Sequence, residues 1–200
     1  MRKAIIHLKK QDPTLRRIID AVGPYRVEYR EPEFESLVRS IVYQQLSGRV
    51  AKVIYQRLAD AVRGKMTPKN ILKLSPADLR ACGLSKQKGA YILDLAERTA
   101  AGSVNFKRLP ELSDEAVIEH LTAVKGIGVW TAHMFLIFAL RRSDILPVGD
   151  LGVRTAIKKA YELAELPKPA EIEELAQGWR PYCSVAAWYL WRSLDGEAAL

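Results

Sequence analysis

Cysteine is nearly absent, and its scarcity excludes several chemistries at once. Cys82 and Cys183 are the 2 cysteines of 200 residues, too few for a disulfide framework, a four-cysteine zinc site or a cysteine-bound iron–sulfur cluster. Histidine is as sparse: His7, His120 and His133 are widely spaced and lack any ligand-like grouping with cysteine or carboxylate, which argues against a transition-metal site. Long apolar runs are missing too. Ala4-Ile5-Ile6 is far too short for the apolar region of a signal peptide, and no stretch approaches the roughly 20 residues of a membrane span. The expectation is a reduced, cytoplasmic, nucleoid-associated chain with no membrane partner. Alternating strand-like runs are scarce, and no low-complexity linker divides the sequence.

What is present is apolar content, helical periodicity and positive charge. At 48% hydrophobic residues the chain can bury a sizeable core as one domain or two closely packed lobes. Its formal charge of +8 favours a polyanionic partner, because each Lys or Arg seated on a phosphate releases condensed counterions. Apolar residues recur at three and four positions, as in Phe34, Leu37, Ile41 and Val53, Leu58, Val62, which predicts an all-α fold. Ser75 and Pro76 open one helix, which Gly83 closes; Ser85 caps a helix through Tyr91 to Arg98; Ser113 caps another through Glu115 to Val124. A helix begins near Val129, another runs from Leu151 to Leu163, and two final helices cover Ala170 to Trp179 and Pro181 to Leu194.

Between two of these helical patterns lies Val124-Lys125-Gly126-Ile127-Gly128. Glycines at alternate positions permit positive φ and close backbone approach, while the following helix aims its first N–H groups outward. Such a tip suits a phosphate oxygen, with Lys125 adding charge and Ile127 anchoring the turn in the core. Contact of this kind is independent of base sequence. Taken alone, a GxG between helices reads first as a simple helix stop and start.

The wider context adds to the turn. Leu121 to Ala132, followed by Val148-Gly149-Asp150-Leu151-Gly152-Val153-Arg154, resembles the helix-hairpin-helix DNA glycosylase superfamily, and within it the 3-methyladenine DNA glycosylase II branch. Ser40 to Ser47, Gly83-Leu84-Ser85 with Lys88, and Trp188 to Arg192 agree with that branch in the same order, so the likeness runs from about His7 to Arg192. The resemblance implies two closely packed helical lobes with a cleft between them, in a single domain over residues 1–200 without the extra N-terminal β-rich domain of longer relatives. It also implies a monomer acting on damaged double-stranded DNA, with Lys125, Gly126, Gly128 and Lys88 on the backbone.

Asp150 precedes a helical pattern, where an isolated aspartate reads as an N-cap. The resemblance adds a catalytic role, facing the sugar of an extruded nucleotide and stabilising an oxocarbenium-like transition state. Capping and catalysis are compatible. A purine alkylated at N3 or N7 already carries positive charge and leaves as a neutral base, so one carboxylate suffices. Trp130, Trp188 and Tyr189, with Met134 beside them, form the implied base pocket, in which aromatic faces attract a cationic base. Helical spacing reads Trp188 and Trp191 equally well as core residues, Trp191 the more so.

In lyase members of the superfamily a lysine lies two residues beyond the second hairpin glycine, where this chain has Trp130, so no strand cleavage is expected. Gln45, with Leu46 as alternative, is the residue expected to fill the hole left by the extruded base; the plainer reading makes Gln45 a polar helix end and Ser47 an N-cap. No cofactor is required, though the resemblance implies a structural monovalent cation on the main-chain carbonyls of Thr122, Val124 and Ile127. Two other functions stay open: a non-catalytic helix-hairpin-helix protein that only grips DNA, and a glycosylase of the same fold acting on hypoxanthine, uracil or mismatched thymine.

Overall fold

The computed structural model describes residues 1–195, and every regular element among them is helical. In chain order these are α1 (Arg2–Gln11), α2 (Pro13–Val22), α3 (Phe34–Tyr43), α4 (Gly48–Val62), α5 (Pro68–Ile71), α6 (Pro76–Ala81), α7 (Lys86–Ala100), α8 (Asp114–Thr122), α9 (Val129–Phe138), α10 (Leu151–Ala160), α11 (Pro169–Leu175) and α12 (Cys183–Asp195). Short 3₁₀ turns occupy Leu109–Glu111 and Ala176–Trp179. The chain divides into two compact units, one made of Met1–Tyr29 with the chain from Arg141 onward, the other of Arg30–Leu140. Among the described residues no helix is long and apolar enough to cross a membrane.

Local chemistry starts these helices where the sequence places the caps. Ser75 and Asp78 form a reciprocal capping box at α6, and the hydroxyls of Ser85 and Ser113 accept the N–H groups of Lys88 and Ala116 at α7 and α8. Gly83, at φ 97°, ends α6 in the left-handed region. Two expectations shift at helix ends. The helix from Leu151 stops at Ala160 rather than Leu163, because Glu162 turns left-handed (φ 54°) and the Leu163 N–H reaches back to the Lys158 carbonyl at 2.9 Å. That is a Schellman-type closure. The stretch Ala170 to Trp179 is α11 followed by a tighter 3₁₀ turn.

The first unit is organised around α12, which packs against α10, α2 and α1. Its residues Cys183 to Leu190 are buried on every side, as expected of a helix with no solvent face. Asp12 ties its polar groups together: one carboxylate oxygen accepts the Thr14 and Leu15 N–H groups at the start of α2, the other the Trp179 indole at 2.8 Å and the Tyr161 hydroxyl. In the second unit α7 packs against α3, α5 and α6, while α8 packs on α9. Leu37, Ile41, Ile71, Ile92 and Leu95 are fully buried, and Phe106 bridges edge-on between Phe34 and Phe135.

Candidate active site and DNA-contact elements

The hairpin belongs to the Arg30–Leu140 unit. After α8 the Val124 N–H bonds the Leu121 carbonyl and the Ile127 N–H bonds the Val124 carbonyl, both at 3.1 Å, so the chain reverses within a few residues. Gly126 sits at φ 80°, and a Cβ added there would lie 2.0 Å from the Tyr91 ring. Glycine is therefore required twice, for backbone conformation and for space. Ile127, 4% exposed, anchors the turn as expected. Gly128 begins α9 and offers no side-chain cap.

Asp94 on α7 holds the hairpin from below. It accepts the Lys125 N–H at 2.9 Å and pairs with Arg98 at 2.8 Å. Burial pushes its carboxyl up, but those donors and the Arg98 and Lys125 charges more than offset this and hold it below the usual carboxylate range. The Lys125 side chain reaches the same carboxylate only at 3.7 Å and stays 71% exposed.

The turn after α3 lies in the same unit. Gln44 is the C-cap of α3, and Gln45 follows in the left-handed region at φ 54°, exposed, with Leu46 37% exposed beside it. Gln45 is thus not the end of a helix, and Ser47 begins α4 without a side-chain capping bond. Lys88 departs from expectation. Its ammonium turns inward and donates to the Val42 carbonyl at 2.8 Å and to the Gln44 carbonyl, rather than reaching outward for a phosphate. The physical reason is that the last carbonyls of α3 have no partner within their own helix. Burial lowers the Lys88 pKa. The Gln44 amide completes the arrangement by donating to the Gly126 carbonyl at 2.9 Å.

Asp150 lies in the other unit, where it caps α10. One carboxylate oxygen, Oδ1, accepts the Val153 N–H at 2.7 Å and the Trp191 indole N–H at 2.8 Å, and the residue is 8% exposed. Gly152 makes room for this arrangement: a Cβ there would stand 3.0 Å from Trp191 Cδ1 and 3.1 Å from Asp150 Oδ1. Trp191 is therefore half-buried with a polar role, which corrects its reading as a core residue.

The aromatic set is divided. Trp188 (6% exposed) and Tyr189 (0%) are core residues of the Asp150 unit, Trp188 packing against Tyr25 at 4.6 Å and Tyr189 donating its hydroxyl to the Gly23 carbonyl. A fully buried Tyr189 has no exposed ring face to offer a base, which corrects its expected place in the base pocket. Trp130, 51% exposed on the first turn of α9, and the half-buried Met134 belong to the hairpin's unit.

The model of the HhH-GPD superfamily, described as base excision DNA repair proteins, matches residues 38–181, a span that contains both the hairpin and Asp150. The chain belongs to the HhH-GPD superfamily. DNA-3-methyladenine glycosylase 1 of Schizosaccharomyces pombe is 36% identical over 96% of this chain and 86% of its own length. The putative DNA-3-methyladenine glycosylase YfjP of Bacillus subtilis is 31% identical over 81% of this chain, which spans 59% of it. Among solved structures, a DNA-3-methyladenine glycosidase from Bacillus halodurans superposes with a TM-score of 0.89 at 37% identity, covering 98% of this chain and 91% of that one.

Sequence reasoning missed two contacts of this HhH-GPD chain, the partner of Asp150 and those of Lys88. The Trp191 indole meets Asp150 across 41 positions, a contact set by the packing of α12 on α10 that no local pattern announces. Lys88 did leave a signal. A lysine in the first turn of a helix opposes that helix's own dipole and asks for a compensating partner, here the carboxyl end of α3.

Proposed function

We propose that the chain is a monofunctional DNA glycosylase that releases alkylated purines of the 3-methyladenine and 7-methylguanine type by hydrolysis of the N-glycosidic bond. The observation that carries this reading is the buried Asp150 carboxylate, fixed through one oxygen by the α10 N-terminus and the Trp191 indole. A fixed negative charge stabilises the positive charge that develops on the sugar as the bond breaks. Water oxygen bonds to C1′, the electrons of the glycosidic bond pass to the purine and cancel its positive charge, and the water's proton passes to the carboxylate. The departing base needs no separate acid.

The hairpin glycines and the exposed Lys125 are the proposed phosphate anchor on damaged duplex. Gln45 and Leu46 are the proposed wedge, and Trp130 is the exposed aromatic on which a cationic base would stack. Trp130 also stands where a lyase lysine would, and an indole forms no Schiff base. A monovalent cation on the carbonyls of Thr122, Val124 and Ile127 is proposed as structural support, suited to a donor set made wholly of oxygen. A cytoplasmic, nucleoid-associated setting is part of the same proposal.

The test incubates wild type and Asp150→Asn with methylated duplex and measures free bases and strand breaks separately. Methylpurine release without strand breaks is expected from wild type. Release should fall by at least about a hundredfold in Asp150→Asn, with duplex affinity retained. No release by wild type would leave a protein that only binds DNA, and full turnover by Asp150→Asn would remove the carboxylate from the chemistry.

A further inference from the structure

We propose that Lys88 and Gln44 are positioning residues for base extrusion, which lock the Gln45 turn to the hairpin so that wedge and phosphate anchor meet DNA as one rigid piece. The inference rests on the wedge and anchor roles proposed above. Lys88 donates to the Val42 and Gln44 carbonyls, and Gln44 donates to Gly126, 82 positions further along the chain. The same helix seats the other side of the junction, because Tyr91 lies under Gly126 and Asp94 holds the Lys125 N–H. Lys88, Tyr91 and Asp94 recur every three residues on α7, so one helix face carries both the wedge turn and the hairpin.

Such a lock has a physical purpose. Gln45 is a non-glycine residue at φ 54°, a conformation that is unfavourable for a side chain with a Cβ and persists only where neighbours impose it. Extruding a nucleotide costs lost stacking and pairing. A turn that had to be ordered during extrusion would add to that barrier; one ordered beforehand does not. The Lys88 ammonium supplies the order by satisfying the loose carbonyls at the end of α3 and complementing that helix's dipole.

Three measurements on the intact protein test the assignment: single-turnover release of 7-methylguanine, unstacking reported by 2-aminopurine beside the lesion, and affinity for undamaged duplex across a salt series. Lys88→Met should slow release and unstacking about tenfold when the lesion is paired, yet only about twofold in a single strand, where extrusion costs little. Lys88→Arg, which can still donate to two carbonyls, should recover most of the loss. Gln44→Ala cuts only the link to Gly126 and should give the same substrate-dependent pattern, which keeps the test sound if Lys88→Met does not fold. Two outcomes overturn the proposal: equal loss on paired and single-stranded lesions, which marks a merely structural role, or a salt dependence weakened by about 0.9 in log–log slope with release intact, which marks a phosphate contact. Failure of the underlying reading looks different. Wild type would then release no base, or a Gln45→Ala, Leu46→Ala double variant would extrude as well as wild type, and either result removes the proposal as well.

Discussion

Asp150 is confined by neighbours on two helices. Its own helix supplies the Val153 N–H, and α12 supplies the Trp191 indole, both directed at Oδ1. Trp191→Phe keeps the ring and deletes the N–H. A hydrogen bond to a charged group contributes about 1.5–3 kcal/mol, so release from methylated duplex should slow by roughly four- to twelvefold if half of that sum serves the carboxylate's placement. Gly152→Ala reaches the same point by another route, because its Cβ would crowd Trp191 and Asp150 at 3.0 and 3.1 Å. Alanine ordinarily favours a helix over glycine by up to about 1 kcal/mol. The expected result is therefore a split: thermal stability little changed, release lowered. Equal falls in both would assign Gly152 to packing alone. The sequence displayed Asp150 as a helix cap and, through family likeness, as a catalyst. It could not display the indole, since that contact exists only once α12 has packed on α10.

Helix α7 links the proposed wedge turn and phosphate anchor of the second unit. Its start was legible from Ser85, whose hydroxyl accepts the Lys88 N–H at 3.1 Å. Capping is a local event, and so are the glycine-closed end of α6 and the turn at Gly126; such features read directly from the residues. The first-turn position of Lys88 hinted at a compensating partner, but which one, and the seat that Asp94 gives to Lys125, depend on neighbours 46 and 31 positions away that local pattern does not name. Asp94 yields a prediction with a definite sign. Its carboxyl is held below the usual range, so the charged form is favoured in the folded state. The stabilisation is complete above the ordinary aspartate pKa of about 3.9 and is lost as pH falls through the lower folded value. Asp94→Asn should cost about 2 kcal/mol at neutral pH, a fall in Tm of roughly 5 °C for a chain of this size. The difference between wild type and variant should shrink below about pH 4; a constant difference across pH would mean that the Asp94 charge contributes nothing.

At the scale of the molecule, a formal charge of +8 draws the chain to any polyanion, and that attraction cannot distinguish a damaged base from a sound one. On the proposed reading, selectivity comes from the extrusion step and from stacking of the cationic base on Trp130, which is 51% exposed. The overall basic character was plain from composition, but which lysines face DNA depends on where their side chains are already engaged. Lys125 is 71% exposed and loosely paired, whereas Lys88 is directed into its own unit. Affinity for undamaged duplex, measured from about 50 to 200 mM salt, separates the two. Each phosphate contact contributes about 0.9 to the slope of log affinity against log salt. Lys125→Ala should flatten that slope by about one such step and weaken binding alike on every duplex sequence, while Lys88→Met should leave the slope where it was. If Lys88→Met flattens the slope and Lys125→Ala does not, the electrostatic face of the hairpin has been assigned to the wrong lysine.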